Sequence, residues 1–94
     1  MRAAVVGHVE WVEFMRVSKM PTAGEIVHAS DWWEAPGGGG SVAAMQLLKL
    51  AGRCSFFTAL GDDDIGRRAH RELLELGLEV HAVFHPRPTR RGVT

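Results

Sequence analysis

The chain has 94 residues, a length that suits one small domain and is too short for two. Its 11 lysines and arginines balance 11 aspartates and glutamates, so no global charge indicates nucleic acid or an anionic membrane as a partner. The single cysteine, Cys54, excludes an internal disulfide. No apolar run approaches the ~20 residues of a membrane span and no signal-peptide core is present, so we expect a cytoplasmic protein.

The first predicted elements are a strand and a β flap. Residues 3–7 (AAVVG) form an apolar run ending in glycine, which is typical of a strand buried on both faces at the centre of a parallel sheet. Residues 11–17 and 25–33 mix β-branched and aromatic residues with charged ones, and predict two half-exposed strands in a flap over about residues 11–34. Trp32 and Trp33 would point to opposite faces, so that one can pack inward; packing is favoured over stacking on a substrate.

Four consecutive glycines, residues 37–40, come directly before a helical pattern. They leave two alternatives: a loop that lets a polar ligand approach the first turn of the helix, or a flexible joint without a chemical role. Ser41 is predicted to cap a helix that runs through residue 50 and ends at Gly52. Because Gln46 and Lys49 are its only strongly polar side chains, we expect most of its circumference to be buried.

A βαβ unit is predicted over residues 54–84. It comprises a strand at 54–60, a helix that follows the aspartates of GDDDIG and stops at Gly77, and a strand at 78–84. A further strand begins at residues 93–94. This order predicts an α/β fold, a parallel sheet with right-handed crossovers, in one domain over residues 1–94. Because the last residues favour a strand with no closing element, we expect a piece of a longer chain.

The signatures of nucleotide, metal and hydrolase sites do not fit. No lysine follows the glycines as a P-loop requires, and a dinucleotide fingerprint started at Gly37 would need glycine where Val42 stands. The five histidines are scattered, so no metal site is expected, and no serine lies in a Gly-x-Ser-x-Gly elbow. Residues 62–64, all aspartate, are better explained as a helix cap and complement to the helix dipole.

Four segments occur in an order that resembles the N-terminal third of the ribokinase-like (PfkB) carbohydrate kinases. They are VVGHVEW at residues 5–11, PTAGEIVHASDWWEAPGGGGSVAAMQLLKLAG at 21–52, FFTALGDDDIGRRAHRELLELGLEV at 56–80 and TRRGVT at 89–94. The matching family features are a first strand ending in glycine, P-x-x-G-E in a β flap, a glycine pair before a helix, and G-D-D-x-x-G. The resemblance covers essentially the whole chain.

This resemblance implies a phosphotransferase that uses ATP and Mg²⁺ to phosphorylate a hydroxymethyl group of a sugar or related alcohol. It also implies that the β flap covers the substrate and mediates a homodimer. The family's glycine pair, matched within residues 37–39, lets substrate hydroxyls approach a backbone that a Cβ would block. The substrate-binding candidates are Gly37, Gly38, Gly39, Glu10 and Ser41.

The sequence also departs from the family pattern. Family members carry asparagine and aspartate after the first strand, where they bind sugar hydroxyls; the matching residues here are Glu10 and Val12, with Glu13 as a substitute. A further asparagine in the helix start is matched by Val42, or by Ser41 if the alignment shifts. Fewer polar partners weaken recognition of a polyhydroxyl substrate, which implies an unusual substrate or weak activity.

The family's catalytic aspartate, in Gly-x-Gly-Asp, and its ATP-binding loops lie further along the chain than residue 94. No catalytic residue is therefore expected here, ATP and Mg²⁺ would be bound mainly by a C-terminal part, and the 94 residues alone should be inactive. The alternative is a non-catalytic binding or regulatory relic of the same fold, which Val12 and Val42 favour. The isolated chain is expected to be poorly soluble or partly unfolded, because a truncated parallel sheet exposes an edge and an apolar face.

Overall fold

The computed structural model describes all of residues 1–94 as two three-stranded sheets and two α-helices. In chain order the elements are β1 (Ala4–Val6), β2 (Glu10–Arg16), β3 (Asp31–Gly37), α1 (Gly39–Ala51), β4 (Ser55–Gly61), α2 (Asp64–Glu75), β5 (Glu79–His85) and β6 (Arg91–Val93). The core sheet has the order β1-β4-β5 and is entirely parallel. The lid sheet has the order β3-β2-β6, with β2 antiparallel to β3 and parallel to β6. The predicted α/β class is confirmed.

Both helices pack on one face of the core sheet. Alternation along β4 places Phe56 and Leu60 on that face, with at most 1% of each exposed, and Phe57 on the other, 42% exposed. Val6 and Val83 are exposed on the uncovered face beside Phe57. The hydrophobic core consists of Val9, Trp11, Ala44, Cys54, Phe56, Leu60, Ala69, Leu73 and Leu78.

The prediction that the first strand is central and buried on both faces is wrong for this chain. β1 lies at the edge of the core sheet, Ala4 and Val6 are exposed, and β4 is the central strand. Two successive crossovers of the same hand carry the chain in one direction across the sheet, so the strand that comes first stays at one end. They also return both helices to the same face, which leaves the other face open.

Helix α1 differs from its prediction in two ways. It begins at Gly39 with Gly38 as the N-cap residue and no side-chain cap, so Ser41 is not its cap. Only Gly40, Ser41 and Ala44 are buried, and Met45, Leu47 and Leu48 are partly buried against the core. Val42 is 56% exposed, because only one side of the helix faces the sheet. Helix α1 has apolar residues on every side, yet only one of its sides is buried. Gly52 ends the helix in the left-handed conformation, as predicted.

The lid sheet also differs from the predicted flap. The strand expected at 25–33 begins only at Asp31 and continues to Gly37, and residues 25–30 lie outside any strand or helix. The register explains the shift, since β2 pairs with β3 from Arg16 opposite Asp31 to Glu10 opposite Gly37. The C-terminal strand β6 joins this sheet as its third strand.

Helix α2 follows its prediction closely. It spans Asp64–Glu75, Asp63 caps it, and Ala69 and Leu73 are fully buried on its inner face. None of the helices has both the length and the apolar character that crossing a bilayer requires.

Candidate functional site

The core sheet and the lid sheet meet at the carboxyl ends of the parallel strands. Gly7 and His8 follow β1 there, β4 ends at Gly61, β5 ends at His85, and α1 begins beside them. Open α/β sheets bind their ligands beyond the carboxyl ends of the strands, where loops and helix N-termini converge. This junction is therefore the candidate site.

Two of the four glycines serve contacts within the protein. A Cβ placed on Gly40 would lie 2.6 Å from the carbonyl oxygen of His8 and 2.6 Å from the carbonyl carbon of Gly7, so a side chain there would collide with the backbone after β1. A Cβ on Gly37 would lie 2.8 Å from Cγ2 of Val12 on the neighbouring strand. Gly37 and Gly40 are both buried. These glycines allow close packing of the chain on itself.

Gly38 and Gly39 form the part of the loop nearer to solvent. Gly38 has φ 87°, a left-handed conformation that favours glycine, and its Cβ would lie 3.1 Å from the His8 ring. Gly39 is exposed, and its Cβ would have His8 Cε1 as its only near neighbour, at 3.5 Å. Because the first N–H groups of a helix lack intrahelical acceptors, this exposed backbone at the start of α1 offers donors to a polar ligand. The glycine segment is an ordered loop between strand and helix.

Ser41 holds the glycine loop from within. The residue is 2% exposed, and its hydroxyl donates to the carbonyl oxygens of Gly37 and Gly38. The hydroxyl is therefore directed at the loop backbone. That Ser41 contacts a substrate stays a prediction.

Glu10 lies beside the loop on the lid sheet. Its Oε1 is 3.8 Å from Nε2 of His8, and its backbone nitrogen is 3.0 Å from where a Cβ of Gly38 would be. Oε2 of Glu10 is 3.7 Å from the corresponding point on Gly92 of β6, so the carboxylate extends over the same lid face as Gly92. Glu10, Gly38 and Gly39 are thus brought together around His8.

Glu13 does not share this position. Side chains alternate along β2, so Glu13 lies on the opposite lid face from Glu10 and Val12. Its Oε1 accepts a hydrogen bond of 2.7 Å from Arg91 of β6. The expectation that Glu13 substitutes for a missing polar contact is wrong, because the period of a strand places it away from the glycine loop.

The aromatic residues of the lid sheet lie on both faces. Trp33 stacks on Phe14 with ring centroids 5.5 Å apart, while Trp32 lies on the other face and is 59% exposed. Neither packs into the core. The aromatic residue that does is Trp11, which is 1% exposed, donates to Glu34 and lies 4.6 Å from the guanidinium of Arg68 on α2.

A cluster of hydrogen bonds, the Asp63 clasp, connects α2 to the loop before β6. Asp63 accepts from the backbone of Gly66 at 2.7 Å, from the backbone of Thr89 at 2.8 Å and from the Thr89 hydroxyl at 2.7 Å. The bonds from Thr89, backbone first, hold the pKa of Asp63 below its ordinary value. A Cβ on Gly61 would lie 2.3 Å from the Thr89 nitrogen, so this crossing also requires glycine.

The sequence identified Asp63 only as part of a helix cap. The cap is confirmed, but the longer-range partner Thr89 was missed. The TRRGVT segment does show a threonine just before a strand. Local sequence patterns cannot pair it with Asp63, because the two residues are 26 positions apart. No group of three or more His, Cys, Asp or Glu side chains in the structure is arranged to hold a metal ion.

Comparison with known proteins identifies the family. The profile of pfkB family carbohydrate kinases matches residues 2–93. The chain belongs to this family. It is 39% identical over 62 residues to a ribokinase of Dictyostelium discoideum, covering 66% of this chain and 20% of that protein. It is 36% identical over 86 residues to an ATP-dependent ribose-1-phosphate kinase of Halopiger xanaduensis, covering 88% of this chain and 28% of that protein.

A crystal structure of ribokinase from Thermotoga maritima has the same fold. The TM-score is 0.74 at 26% identity, with 99% of this chain and 31% of the ribokinase covered. The ribokinase-like fold expected from the sequence is confirmed. The pfkB chain described here spans between a fifth and a third of the length of these relatives.

Proposed function

We propose that this chain is the acceptor-binding portion of a carbohydrate kinase, which transfers the γ-phosphate of ATP to a hydroxymethyl group of a sugar or related alcohol. The observation that carries the proposal is the ordered glycine loop at the carboxyl edge of the core sheet, with exposed backbone at Gly38 and Gly39 directly beside Glu10. Membership of the pfkB family supports the reaction type.

Some of the candidate residues would contact the acceptor, and others would hold the glycine loop in place. Backbone N–H groups at Gly38 and Gly39 donate to acceptor hydroxyls, and the Glu10 carboxylate accepts from them. Gly37 and Ser41 keep the loop in place, since one packs against Val12 and the other hydrogen-bonds the loop carbonyls. The contribution of this portion to rate is orientation: an acceptor held in one geometry has less entropy to lose on reaching the transition state.

The chain binds the acceptor, and the nucleotide is bound elsewhere. The relative from Halopiger xanaduensis is named as ATP-dependent, which supports ATP as the phosphoryl donor. Mg²⁺ is expected with it, but the described side chains form no metal-binding group, so no step is assigned to a metal here. The residues that bind ATP and remove the proton from the attacking hydroxyl are expected in the part of the family fold that this chain does not match.

The lid sheet is proposed to carry the contact between two copies of the protein. Met15 and Trp32 lie opposite each other in the β2–β3 pair and are 41% and 59% exposed. Exposed apolar side chains of this size favour an interface. A homodimer through the β flap in the cytoplasm, where ATP is available, completes the proposal.

The test is ADP formation by the complete gene product, supplied with ATP, Mg²⁺ and a panel of sugars and related alcohols. The informative variant is Gly39→Ala, because its Cβ enters the exposed side of the loop without touching other backbone. We expect the KM for the acceptor to rise about tenfold or more with the KM for ATP unchanged, while Gln46→Ala on the exposed side of α1 changes neither.

Absence of ADP formation with every acceptor would overturn the kinase proposal and favour the non-catalytic relic. Val12 and Val42 motivate that alternative. Val12 is 7% exposed and packs toward Gly37, and Val42 is 56% exposed on α1, so neither supplies a polar contact to a sugar.

A further inference from the structure

Three short chain segments join the lid sheet to the core sheet. They are residues 7–9 between β1 and β2, Gly38 between β3 and α1, and residues 86–90 between β5 and β6. A few loop residues of this kind can absorb a change in the angle between two rigid bodies. The orientation of the lid sheet therefore depends on the side chains that connect it to the helices.

A cluster of four side chains, the Arg68 latch, makes such a connection. It consists of Arg68 and Glu72 of α2, Trp11 of β2 and Glu34 of β3. The guanidinium of Arg68 lies 4.6 Å from the centroid of the Trp11 ring. Its Nη1 donates to Oε2 of Glu34 at 3.2 Å, and its Nε donates to Oε2 of Glu72 at 3.0 Å. Because Nε1 of Trp11 also donates to Oε1 of Glu34, at 3.3 Å, Arg68 holds two strands of the lid sheet against one helix.

No other ion pair in the structure joins the lid sheet to a helix. Arg68–Glu34 does so, whereas the others lie within the lid, within the core part or at the crossing after β1. The Trp11 ring below the guanidinium is 1% exposed. A cation binds more strongly to a desolvated aromatic ring than to an exposed one. The latch is therefore the main charged contact that fixes the angle of the lid sheet.

The latch lies on the opposite lid face from the candidate site. Side chains alternate along β2, so Trp11 faces α2 while Glu10 lies on the other face. With the latch formed, the backbone nitrogen of Glu10 is 3.0 Å from where a Cβ of Gly38 would be. Glu10 and Trp11 are consecutive residues of one strand, so a movement of the Trp11 backbone also moves Glu10 relative to the glycine loop.

We propose that Arg68 is a positioning residue, which locks the lid sheet to α2 and thereby holds Glu10 beside the glycine loop. This inference rests on the proposed function, because it assumes that the acceptor binds between Glu10 and that loop. A lid sheet without the latch samples several angles, and only some of them bring Glu10 to the loop. The apparent affinity for the acceptor falls with the fraction of molecules in the competent arrangement.

The kinetic test uses the complete gene product with ATP and the acceptor that it phosphorylates best. We expect Arg68→Ala to raise the KM for the acceptor about threefold to tenfold, with kcat and the KM for ATP unchanged. The matched control is Arg67→Ala, because the neighbouring arginine also forms two ion pairs, but with Asp62 and Asp64 beside it in the chain. It should behave as the parent. Arg68→Gln keeps most of the aliphatic stem and loses the charge, so it should act in the same direction and serves if Arg68→Ala does not fold.

A double variant tests whether the latch acts as a unit. Glu34→Ala alone should also raise the KM for the acceptor, and Arg68→Ala combined with Glu34→Ala should be no worse than Arg68→Ala alone. Additive effects of the two substitutions would overturn the latch. An equal rise in Arg67→Ala, or a rise in the KM for ATP instead of that for the acceptor, would overturn it too.

A distance measurement makes the result independent of turnover. Nitroxide labels on Asp31→Cys in the lid and Lys49→Cys on α1, both exposed positions, report the angle of the lid by pulsed EPR. Other exposed cysteines of the complete gene product are replaced by serine, and Cys54, 1% exposed, stays unlabelled. We expect one narrow distance distribution in the parent and in Arg67→Ala, and a broadened one in Arg68→Ala. An unchanged distribution overturns the latch; a broadened one supports it even if no acceptor is phosphorylated, in which case only the kinase proposal fails.

Discussion

The core sheet and the lid sheet are stabilised in different ways. The core sheet packs against α1 and α2 through side chains such as Phe56 and Leu73, both fully buried. The lid sheet is less well covered: Arg68 of α2 pairs with Glu34 of β3, but Trp33 and Trp32 are 44% and 59% exposed. It is held mainly by strand pairing, by Trp11 at its base and by the Asp63 clasp.

Because of this difference, the folding free energy comes mainly from one part of the molecule and the candidate binding site lies in another. Apolar burial gives most of the folding free energy and resides in the core. The candidate site lies at the junction, where the chain crosses between the sheets and glycines allow close contact. Substitutions in the core should therefore change stability most. Substitutions at the junction should change binding, and should also change stability where a glycine lies in close contact with other backbone.

Phe56→Ala is expected to have the largest effect. It leaves a cavity at the centre of the core, and a loss of about 3–5 kcal/mol in the free energy of unfolding is typical of such a change. Trp33→Ala in the lid removes a partly exposed aromatic pair and should cost about 1 kcal/mol. Urea unfolding of both variants measures the contrast, and Phe56→Leu, with a loss below about 1.5 kcal/mol, keeps it measurable if Phe56→Ala does not fold.

Gly40→Ala should destabilise the protein by about 1–3 kcal/mol or more, because the added Cβ meets the backbone of Gly7 and His8 at 2.6 Å. Gly39→Ala, one residue earlier, meets only His8 Cε1 at 3.5 Å and should leave stability nearly unchanged. Equal thermal midpoints for the two variants would show that the close crossing after β1 is not a constraint.

Asp63→Asn should lower stability by about 1–3 kcal/mol, since it removes charge-assisted hydrogen bonds from Thr89 and Gly66. The pKa of Asp63 is lower in the folded state than in the unfolded state, where an aspartate titrates at about 3.9. The contribution of the ionised Asp63 carboxylate to the free energy of unfolding is therefore complete above about pH 4. It is lost as the pH falls through the pKa of the folded state.

Urea unfolding midpoints measured between pH 7 and pH 2 check the direction of this pH dependence. The acid-induced loss of stability should be smaller in Asp63→Asn than in the parent. Parallel curves for the two proteins would mean that the clasp does not contribute in this pH range.

Arg91→Ala should have the smallest effect. The Arg91–Glu13 pair joins β6 to β2 on the lid, but the arginine side chain is 55% exposed. Exposed pairs contribute about 0–1 kcal/mol and are screened by salt. A midpoint shift that disappears at high salt is the expected result, and a large salt-independent loss would show that the lid depends on this pair.

Local patterns predicted much of this protein correctly. The α/β class, α2 with its aspartate cap, the strands on either side of it and the pfkB resemblance all followed from short-range periodicity and motif order, because these signals depend on residues close together in the chain. The glycines form an ordered loop before α1, in which Gly38 and Gly39 are the more open residues; that a ligand binds there stays a prediction.

The sequence alone determined the family and most of the helices and strands, since propensity, caps and motifs are local, but it misplaced the strand Asp31–Gly37. The tertiary structure decided which other segments those helices and strands contact. It placed β1 at an edge, turned Glu13 away from the site and joined Thr89 to Asp63. Such pairings depend on crossover direction and strand register, which bring distant residues together and leave no periodic trace in the sequence.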